Sequence, residues 1–249
     1  FVDGECGIAY VRKGGATVVV RADGLAAGKG VTVARDLAQA EAAIHAAMES
    51  RVFGDAGNRV VIEECLVGEE ASILAFCDGA TFVPLASSQD HKPAFDNDEG
   101  TNTGGMGAYS PAPVVTAAIM EQINREVLGP CVAGMAADGM PYTGILYAGL
   151  IITEAGPKVI EFNVRFGDPE TQAIMPRMAT DIVPIFLACC DGKLDQHTIE
   201  YSDWPCVTVV MASGGYPGVY KKGIPIEGIE AAETLDNVVV FQAGVKQER

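Results

Sequence analysis

The segment at residues 159–172, V-I-E-F-N-V-R-F-G-D-P-E-T-Q, constrains the fold of this chain more than any other stretch. Its first eight residues are typical of a β-strand, in which successive side chains point to opposite faces. Glu161, Asn163 and Arg165 are therefore expected to share one face. The apolar residues between them are expected to form a core face on the other side: Ile160, Phe162, Val164 and Phe166.

A carboxylate, an amide and a guanidinium in one row suit a site that handles a metal-bound triphosphate. The side-chain oxygens of Glu161 and Asn163 are hard ligands suited to Mg²⁺, and the Arg165 guanidinium suits phosphate or carboxylate. The alternative is the solvated face of an edge strand. Because asparagine is depleted in strands, its place between two charged residues favours the site.

Composition restricts the classes of function. The chain has 249 residues, enough for two domains, and its net charge of −16 argues against a nucleic-acid partner. No apolar run approaches the ~20 residues that cross a bilayer, and the start has no signal-peptide pattern. The seven cysteines form no C-x-x-C motif, which favours free thiols in the reducing cytoplasm. The three histidines are scattered without zinc-ligand spacing.

The pattern of elements predicts an α+β fold with mainly antiparallel sheets. A D-G turn predicts one hairpin, and the turn Ala155-Gly156-Pro157 predicts a second between the strands at 144–153 and 158–166. Residues 89–113 read as a long polar loop, and Gly129-Pro130 is expected to break a helix. The predicted strands are 17–21, 31–34, 59–64, 71–77, 81–87, 144–153, 158–166, 206–212 and 238–243. The predicted helices are 36–50, 115–138, one from Asp168-Pro169 and 181–190. Because the chain opens without Met and stops after a strand-like run, a fragment of a longer protein is expected.

The loop at 22–30, A-D-G-L-A-A-G-K-G, is a candidate phosphate cradle. Its glycines let backbone N–H groups approach an anion, and Arg21 and Lys29 add positive charge. It is not a Walker A loop, since Asp23 and Gly30 occupy positions that the motif gives to other residues. A flap between two antiparallel strands fits better, and a purely structural hairpin is the alternative.

Residues 60–72, V-V-I-E-E-C-L-V-G-E-E-A-S, carry four carboxylates around a short apolar pivot. A nucleotide clamp would use backbone groups of Glu64 and Leu66 for the adenine edge, and a carboxylate of the Glu69-Glu70 pair for the ribose hydroxyls. A solvated charged turn is the alternative.

Residues 87–110 concentrate glycine and hydrogen-bonding side chains. Asp90, His91 and Lys92 lie where a polar substrate could be bound. The turn that follows offers closely spaced N–H donors for an oxyanion, from Gly104, Gly105, Met106 and Gly107. A disordered surface loop is the alternative.

Together these segments resemble the glycinamide ribonucleotide synthetase family (phosphoribosylamine–glycine ligases) of the ATP-grasp superfamily. The matching stretches include A-D-G-L-A-A-G-K-G-V, V-I-E-E-C-L-V-G-E-E-A-S, S-S-Q-D-H-K, N-T-G-G-M-G-A-Y-S-P-A-P, Y-T-G-I-L-Y-A-G-L and K-V-I-E-F-N-V-R-F-G-D-P-E-T-Q. The likeness runs from near residue 1 to about residue 245.

The resemblance implies ATP clamped between two α+β subdomains. Residues 1–62 would be the small mobile subdomain with the Gly-rich flap, and 63–193 the core with the metal and substrate site. Residues 194–249 would be a partial, β-rich C-terminal domain. The family's N-terminal domain, with its phosphoribosylamine-binding loop, has no counterpart in this sequence.

The resemblance also assigns residue roles. Glu161 and Asn163 match the family's metal ligands, and Arg165 and Asp168 match its catalytic phosphate and substrate end. Glu64 and Leu66 match the adenine hinge, and Glu70 the ribose contact. Further nucleotide contacts are expected from Arg21, Gly28, Lys29, Gly30 and Glu63. Substrate contacts are expected from Asp90, His91, Lys92, Gly104, Gly105, Met106 and Gly107. Arg21 stands where the family usually has lysine, so the geometry at the phosphates is expected to differ.

The implied reaction joins glycine to 5-phosphoribosylamine, with ATP and Mg²⁺ (or Mn²⁺) as cofactors, through a glycyl phosphate. The products are glycinamide ribonucleotide, ADP and phosphate, a step of purine biosynthesis. Small-molecule substrates, no nucleic acid, no membrane, a cytoplasmic location and a monomer are expected. The alternatives are an ATP-grasp ligase with a different acid and amine, and a catalytically silent ATP-binding fragment.

Overall fold

The computed structural model describes residues 1–14, 17–26 and 30–247. These residues form two compact units, one within Phe1–Val67 and one that begins at Gly68. In the described part of the chain, no helix is long and apolar enough to cross a membrane.

The first unit is a three-stranded antiparallel sheet covered on one face by two helices. β1 (Val18–Ala22) lies between β2 (Val31–Ala34) and β3 (Val60–Glu64). The helices are α1 (Gly4–Gly14), which sequence patterning did not predict, and α2 (Leu37–Met48). Side chains of alternate strand residues pack with the helices in one apolar cluster that includes Val20, Ala34, Ile44 and Val60. Among residues 1–14, 17–26 and 30–67, no helix covers the other face of this sheet.

The second unit is built on a four-stranded antiparallel sheet in the order β11-β10-β4-β5. Its strands are β4 (Glu69–Asp78), β5 (Phe82–Pro84), β10 (Thr143–Thr153) and β11 (Gly156–Asn163). Because neighbouring residues alternate in direction, Ile73 and Ala75 of β4 face one apolar cluster while Leu74 and Phe76 face another. Helices α3 (Ala117–Ile123) and α4 (Gly129–Ala137) lie on the first face, and α5 (Glu170–Ile174) and α6 (Ile182–Asp191) on the second.

The helix predicted at 115–138 is interrupted, as expected. A π-helical turn at Asn124–Leu128 joins α3 to α4, and the Gly129 N–H bonds to the Asn124 carbonyl. Pro130 has no N–H to donate, and its ring would clash with the carbonyl four residues earlier in a regular α-helix. The wider turn just before the proline accommodates both.

The segment at 89–113 has more structure than the predicted polar loop. It contains β6 (Gln89–Asp90), β7 (Pro93–Phe95), β8 (Glu99–Asn102) and β9 (Gly107–Ser110). β9 pairs with β6 and with β12 (Cys206–Val209), and β7 pairs with β8. The pairing satisfies backbone N–H and C=O groups that a loop would leave to solvent. The polar composition of the segment gave no sign of these strands.

The C-terminal part holds less β-structure than predicted. The strand expected at 206–212 is limited to β12, and the run at 238–243 is not a strand. Val239 and Phe241 are 60% and 51% exposed. A strand needs a partner for its backbone groups, and no described segment pairs with this run. The prediction rested on apolar composition alone and was therefore wrong. A short helix, α7 (Ile229–Glu233), precedes it.

The predicted core face of 159–166 is wrong in part. Phe162 and Val164 are 45% and 73% exposed. β11 is an edge strand with β10 as its neighbour, and it ends at Asn163. Alternation therefore stops before Val164, and an edge position leaves Phe162 only partly covered. Phe166 packs against the cluster on the α5 and α6 side.

Candidate functional site

Glu161 and Asn163 lie together at the exposed edge of the second unit. The Asn163 amide Nδ2 donates a hydrogen bond to Glu161 Oε1 at 3.1 Å. Glu161 is exposed and Asn163 is half-buried. The two side chains therefore share one face, as the period of two predicted, and both are accessible from solvent.

This pair fits a magnesium ion that is also held by phosphate oxygens. Mg²⁺ is usually bound by one or two carboxylates, with water and substrate phosphates completing its octahedron. Over residues 1–14, 17–26 and 30–247, no group of three or more His, Cys, Asp or Glu side chains could hold a metal ion. Glu161 and Asn163 supply two hard oxygen donors and leave the other coordination positions of the ion open. A site shared with phosphate oxygens requires such a donor set.

Strand register places this pair beside the interior of the unit. Glu161 is opposite Gly149 of β10, which is opposite Ser72 of β4. Asn163 is opposite Tyr147 in the next row on the same face. A Cβ added to Gly149 would lie 3.3 Å from Glu161 Cγ, so the Glu161 side chain crosses over the bare Cα of this glycine.

A buried carboxylate that sequence reasoning did not single out lies next to these rows. Glu170 is 3% exposed, and its Oε1 accepts hydrogen bonds from the Tyr147 hydroxyl at 2.7 Å and the Ser72 hydroxyl at 3.1 Å. Burial, reinforced by the negative charge of Glu170, raises the pKa of the Tyr147 phenol above its usual range. Tyr147 therefore stays a neutral donor. Only its place in the F-G-D-P-E-T-Q stretch could have pointed to Glu170.

Lys92 forms the cationic part of the site. Its Nζ lies 2.8 Å from Glu70 Oε2 and 3.7 Å from Asp90 Oδ2. Burial lowers the pKa of Lys92, but the charges of Asp90 and Glu70 outweigh it and leave a net increase. The structure thus brings together Asp90 and Lys92, predicted for substrate, with Glu70, predicted for ribose.

Asp90 is 8% exposed, and burial raises its pKa to about 6. Lys92 opposes the increase, while the negative charges of Glu170 and Glu70 add to it. In the unfolded chain this carboxyl ionises near its ordinary pKa of 3.8. The folded state therefore binds more protons between these two values, and stability falls as pH rises through this window.

The substitution Asp90→Asn is expected to remove this part of the pH dependence. At pH 7 the ionised, buried Asp90 carboxylate lowers the stability of the fold by up to ~2–3 kcal/mol, because each pKa unit corresponds to about 1.4 kcal/mol. The neutral amide of Asp90→Asn should avoid this cost. Urea unfolding at pH 4 and pH 7 measures the difference. Asp96→Asn, at an exposed position, is the control. A stability difference between the two pH values equal to that of the wild type would contradict the assignment.

The Gly-rich turn is closed by contacts within the chain. The N–H groups of Gly104, Gly105 and Met106 donate to the Tyr216 hydroxyl at 3.3 Å, the Thr103 hydroxyl at 2.9 Å and the His91 carbonyl at 2.7 Å. This differs from the open oxyanion cradle that was expected, because these donors already have acceptors. Gly107 begins β9 and follows the turn directly.

The turn also touches the loop that carries Asp168. Gly105 has φ of +120°, and a Cβ there would overlap the Pro169 ring. Only glycine permits this approach. The predicted substrate turn and the loop of Asp168, Pro169 and Glu170 are therefore packed against each other. Elsewhere in the predicted substrate set, the His91 ring lies against the Tyr109 ring, with 5.5 Å between their centroids.

Arg165 and Asp168 are both exposed. Arg165 Nη1 donates to the Phe166 carbonyl at 2.8 Å, and Asp168 Oδ1 accepts from Gln172 Nε2 at 2.7 Å. Arg165 lies beyond the end of β11, so strand alternation does not fix its direction. Their catalytic roles stay predictions.

Two of the predicted nucleotide contacts, Arg21 and Glu63, lie on the sheet face of the first unit that is opposite its helices. Arg21 Nη2 lies 3.2 Å from Glu63 Oε2, and both side chains are half-buried. Around them the sheet exposes Val31, Val33 and Val61. An apolar face with a fixed guanidinium could take a planar ring with an attached anion.

The Gly-rich loop of this unit is described only at its ends. The Ala22 N–H donates to the Gly30 carbonyl at 2.8 Å, which confirms a hairpin between β1 and β2. Gly28 and Lys29 lie outside the described residues. Glu64, at the end of β3, is exposed, and Leu66 is half-buried.

The sequence matches two family models. Residues 1–171 match the phosphoribosylglycinamide synthetase ATP-grasp (A) domain, and residues 206–249 match the C domain of the same family.

Curated relatives at this level of similarity are named phosphoribosylamine–glycine ligase. The proteins from Allochromatium vinosum and Pasteurella multocida are each 56% identical over all 249 residues. The Escherichia coli K12 protein is 54% identical over 247 residues. The chain spans only 57–58% of the length of these relatives.

Solved structures give the same fold. A phosphoribosylamine–glycine ligase from Thermotoga maritima superimposes with a TM-score of 0.75 at 32% identity, over 88% of this chain and 55% of that one. A biotin carboxylase from Campylobacter jejuni aligns with a TM-score of 0.61 at 14% identity, over 82% of this chain and 44% of that one. The latter is a likeness of fold alone.

Proposed function

Because this chain belongs to the phosphoribosylglycinamide synthetase family and matches its ATP-grasp domain and part of its C domain, we propose that it carries the ATP-dependent step of a phosphoribosylamine–glycine ligase. ATP, glycine and 5-phosphoribosylamine would give glycinamide ribonucleotide, ADP and phosphate. The observation that carries this proposal is the Glu161–Asn163 pair on an exposed strand edge.

The proposed chemistry has two steps. A glycine carboxylate oxygen attacks the γ-phosphorus, the bond to the β-phosphate oxygen breaks, and ADP leaves. The amine nitrogen of phosphoribosylamine then attacks the glycyl carbonyl carbon, phosphate leaves with the bonding electron pair, and the nitrogen releases one proton to the phosphate or to water. Positioning and charge neutralisation supply most of the rate enhancement in such transfers, so no nucleophilic side chain is required.

Glu161 and Asn163 are the residues that would hold Mg²⁺. When bound, the ion would neutralise charge on phosphate oxygens and orient the triphosphate. Arg165, exposed just beyond β11, would bind a phosphate or the substrate carboxylate through its planar fork. Asp168, on the loop that packs against Gly105, would contact the substrate at the same end of the site.

Lys92 would neutralise charge on the acyl phosphate. Its ammonium lies within 2.8 Å of Glu70 and 3.7 Å of Asp90, so a substrate anion would exchange one of these contacts for its own. The substrate contacts of His91 and of the turn at 104–107 stay part of the proposal. Binding there would require the engaged N–H groups of the turn to change acceptors.

The exposed sheet face of the first unit would contact the nucleotide. Val31, Val33 and Val61 offer an apolar surface for a base, and Arg21 offers charge for a phosphate. Glu63 holds the Arg21 guanidinium in place. The adenine contacts of Glu64 and Leu66 and the phosphate contacts of the 28–30 segment complete the proposed set.

The division into subdomains at 1–62, 63–193 and 194–249 is also part of this proposal. The two family matches, at 1–171 and 206–249, support an ATP-grasp part followed by the start of a C domain. A cytoplasmic monomer that acts on small molecules, without nucleic acid or membrane, is the form proposed.

Release of ADP tests the proposal. With Mg·ATP and phosphoribosylamine, glycine should support ADP formation by the intact protein, while alanine and acetate should support little. Equal release with another carboxylic acid would indicate a ligase for a different acid. Binding of Mg·ATP in calorimetry without ADP release would indicate a silent nucleotide-binding module, and no binding would contradict the proposal.

A further inference from the structure

We propose that Glu170 is a positioning residue for the metal-binding face: its buried carboxylate fixes Tyr147 and Ser72 beside the Glu161–Asn163 pair and adds negative charge that favours a divalent cation there. The inference rests on the proposed function, because it assumes that Glu161 and Asn163 bind the metal. Among the described residues, Glu170 forms its hydrogen bonds with Ser72 and Tyr147 and not with Glu161 or Asn163, so its action on the metal pair is indirect.

Glu170 occupies a position that is costly for a carboxylate. It is 3% exposed, and the hydrogen bonds to its Oε1 come from two neutral hydroxyl groups rather than from a cation. A buried charge without a cationic partner is normally unfavourable. Packing alone does not require a charged carboxylate at position 170. A divalent cation bound nearby would compensate the negative charge of Glu170.

The hydroxyl network and the metal pair share one sheet face. Ser72 and Glu161 lie in one row across the three strands, with Gly149 between them, and Tyr147 is directly opposite Asn163. The Ser72 and Tyr147 hydroxyls also lie 2.9 Å apart, so both hydroxyls and the carboxylate touch one another. Cross-strand neighbours on one face restrict each other's side chains.

Gly149 separates the two groups only by a bare Cα. A Cβ at this position would lie 3.3 Å from Glu161 Cγ and 3.5 Å from Tyr147 Cε1. The Glu161 side chain and the Tyr147 ring therefore flank the same bare Cα. A tyrosine held by Glu170 restricts the positions that Glu161 can take, which is how outer residues orient metal ligands.

Charge in the same region adds to this effect. The buried Asp90 is close enough to Glu170 to be influenced by its charge, and Lys92 is influenced by Glu161. Three carboxylates, those of Glu70, Asp90 and Glu161, thus act on the Lys92 ammonium group, and Glu170 adds a fourth negative charge through its effect on Asp90. The excess of negative charge favours binding of a divalent cation at the exposed edge.

Mn²⁺ binding in the presence of ADP tests the proposal without any turnover. Electron paramagnetic resonance distinguishes protein-bound Mn²⁺·ADP from Mn²⁺·ADP in solution. Glu170→Gln, which keeps the shape and removes the charge, is expected to weaken Mn²⁺·ADP binding by about 10-fold or more, as removal of a group that orients metal ligands typically does. Glu154→Gln, in the exposed turn between β10 and β11, is the matched control and should bind like the wild type.

Further variants separate orientation from folding. Tyr147→Phe keeps the ring but loses its hydrogen bond to Glu170, and it should weaken Mn²⁺·ADP binding by a smaller factor. Glu170→Asp keeps the charge and should recover part of the affinity lost in Glu170→Gln. Thermal unfolding of each variant reports its stability, and if Glu170→Gln does not fold, the Tyr147→Phe and Glu170→Asp affinities decide the question.

The outcomes distinguish this inference from the proposed function. If Glu161→Gln binds Mn²⁺·ADP as tightly as the wild type, the metal assignment itself is wrong. If Glu161→Gln loses binding but a folded Glu170→Gln binds like the wild type, the positioning role of Glu170 is overturned while the metal site stands. Equal affinity of Tyr147→Phe, Glu170→Asp and the wild type would likewise overturn it.

Discussion

The substitution Glu161→Gln is expected to lower ADP formation by the intact protein by about 100- to 1000-fold, a loss typical of removing an electrostatic contact to the transferred group. Glutamine keeps the size of the side chain and can still bond to Asn163, but it loses the charge that a magnesium ion requires. Because Glu161 is exposed on an edge strand, its replacement should leave the fold unchanged.

Lys158→Gln is the matched control for this prediction, since Lys158 is exposed on the same strand. Glycine-dependent ADP release is the measurement, with circular dichroism and thermal unfolding recorded for both variants. Glu161→Gln turnover within about two-fold of the wild type, together with wild-type unfolding, would remove the metal assignment.

The second large effect is expected at Arg177. This side chain is 9% exposed, and its guanidinium donates to the Trp204 carbonyl at 2.9 Å, the Ser202 carbonyl at 3.2 Å and the Ser110 hydroxyl at 2.8 Å. Arg177→Met should lower the free energy of unfolding by ~3–5 kcal/mol, because it leaves the buried Ser110 hydroxyl and two partly buried hydrogen bonds to backbone carbonyls without their donor.

Urea unfolding measures this effect, and Arg125→Met is the control because Arg125 lies on an exposed helix surface. Arg177→Lys should recover little of the stability, since one ammonium group cannot reproduce three donors in a planar fork. A loss below about 1 kcal/mol in Arg177→Met would show that water replaces the guanidinium without cost.

Local periodicity predicted most strands of the two sheets. The hairpins of β4 with β5 and of β10 with β11, and the helices α2 and α6, follow from alternation, turn residues and caps such as Asp36 and Asp181. The failures arose where pairing with a distant segment decides the structure. The polar segment at 89–113 became strands because β9 pairs with β12, which lies about a hundred residues later.

The candidate site was predictable only in part for the same reason. Glu161 and Asn163 are two residues apart, so strand geometry alone places them on one face. Glu170 and Tyr147 are separated by 23 residues, and their hydrogen bond depends on how α5 packs against β10. Arg177 and Ser110 are separated by 67 residues. Sequence patterning carries no information about such contacts.

The close approach of Pro169 to Gly105 has a consequence for engineering the proposed substrate site. Because any side chain at position 105 would overlap the Pro169 ring, a library that varies all of residues 103–107 without changes at 166–170 would mostly return misfolded or inactive clones. Diversifying 103–107 together with 166–170, while keeping glycine at 105, should yield many more variants with altered selectivity.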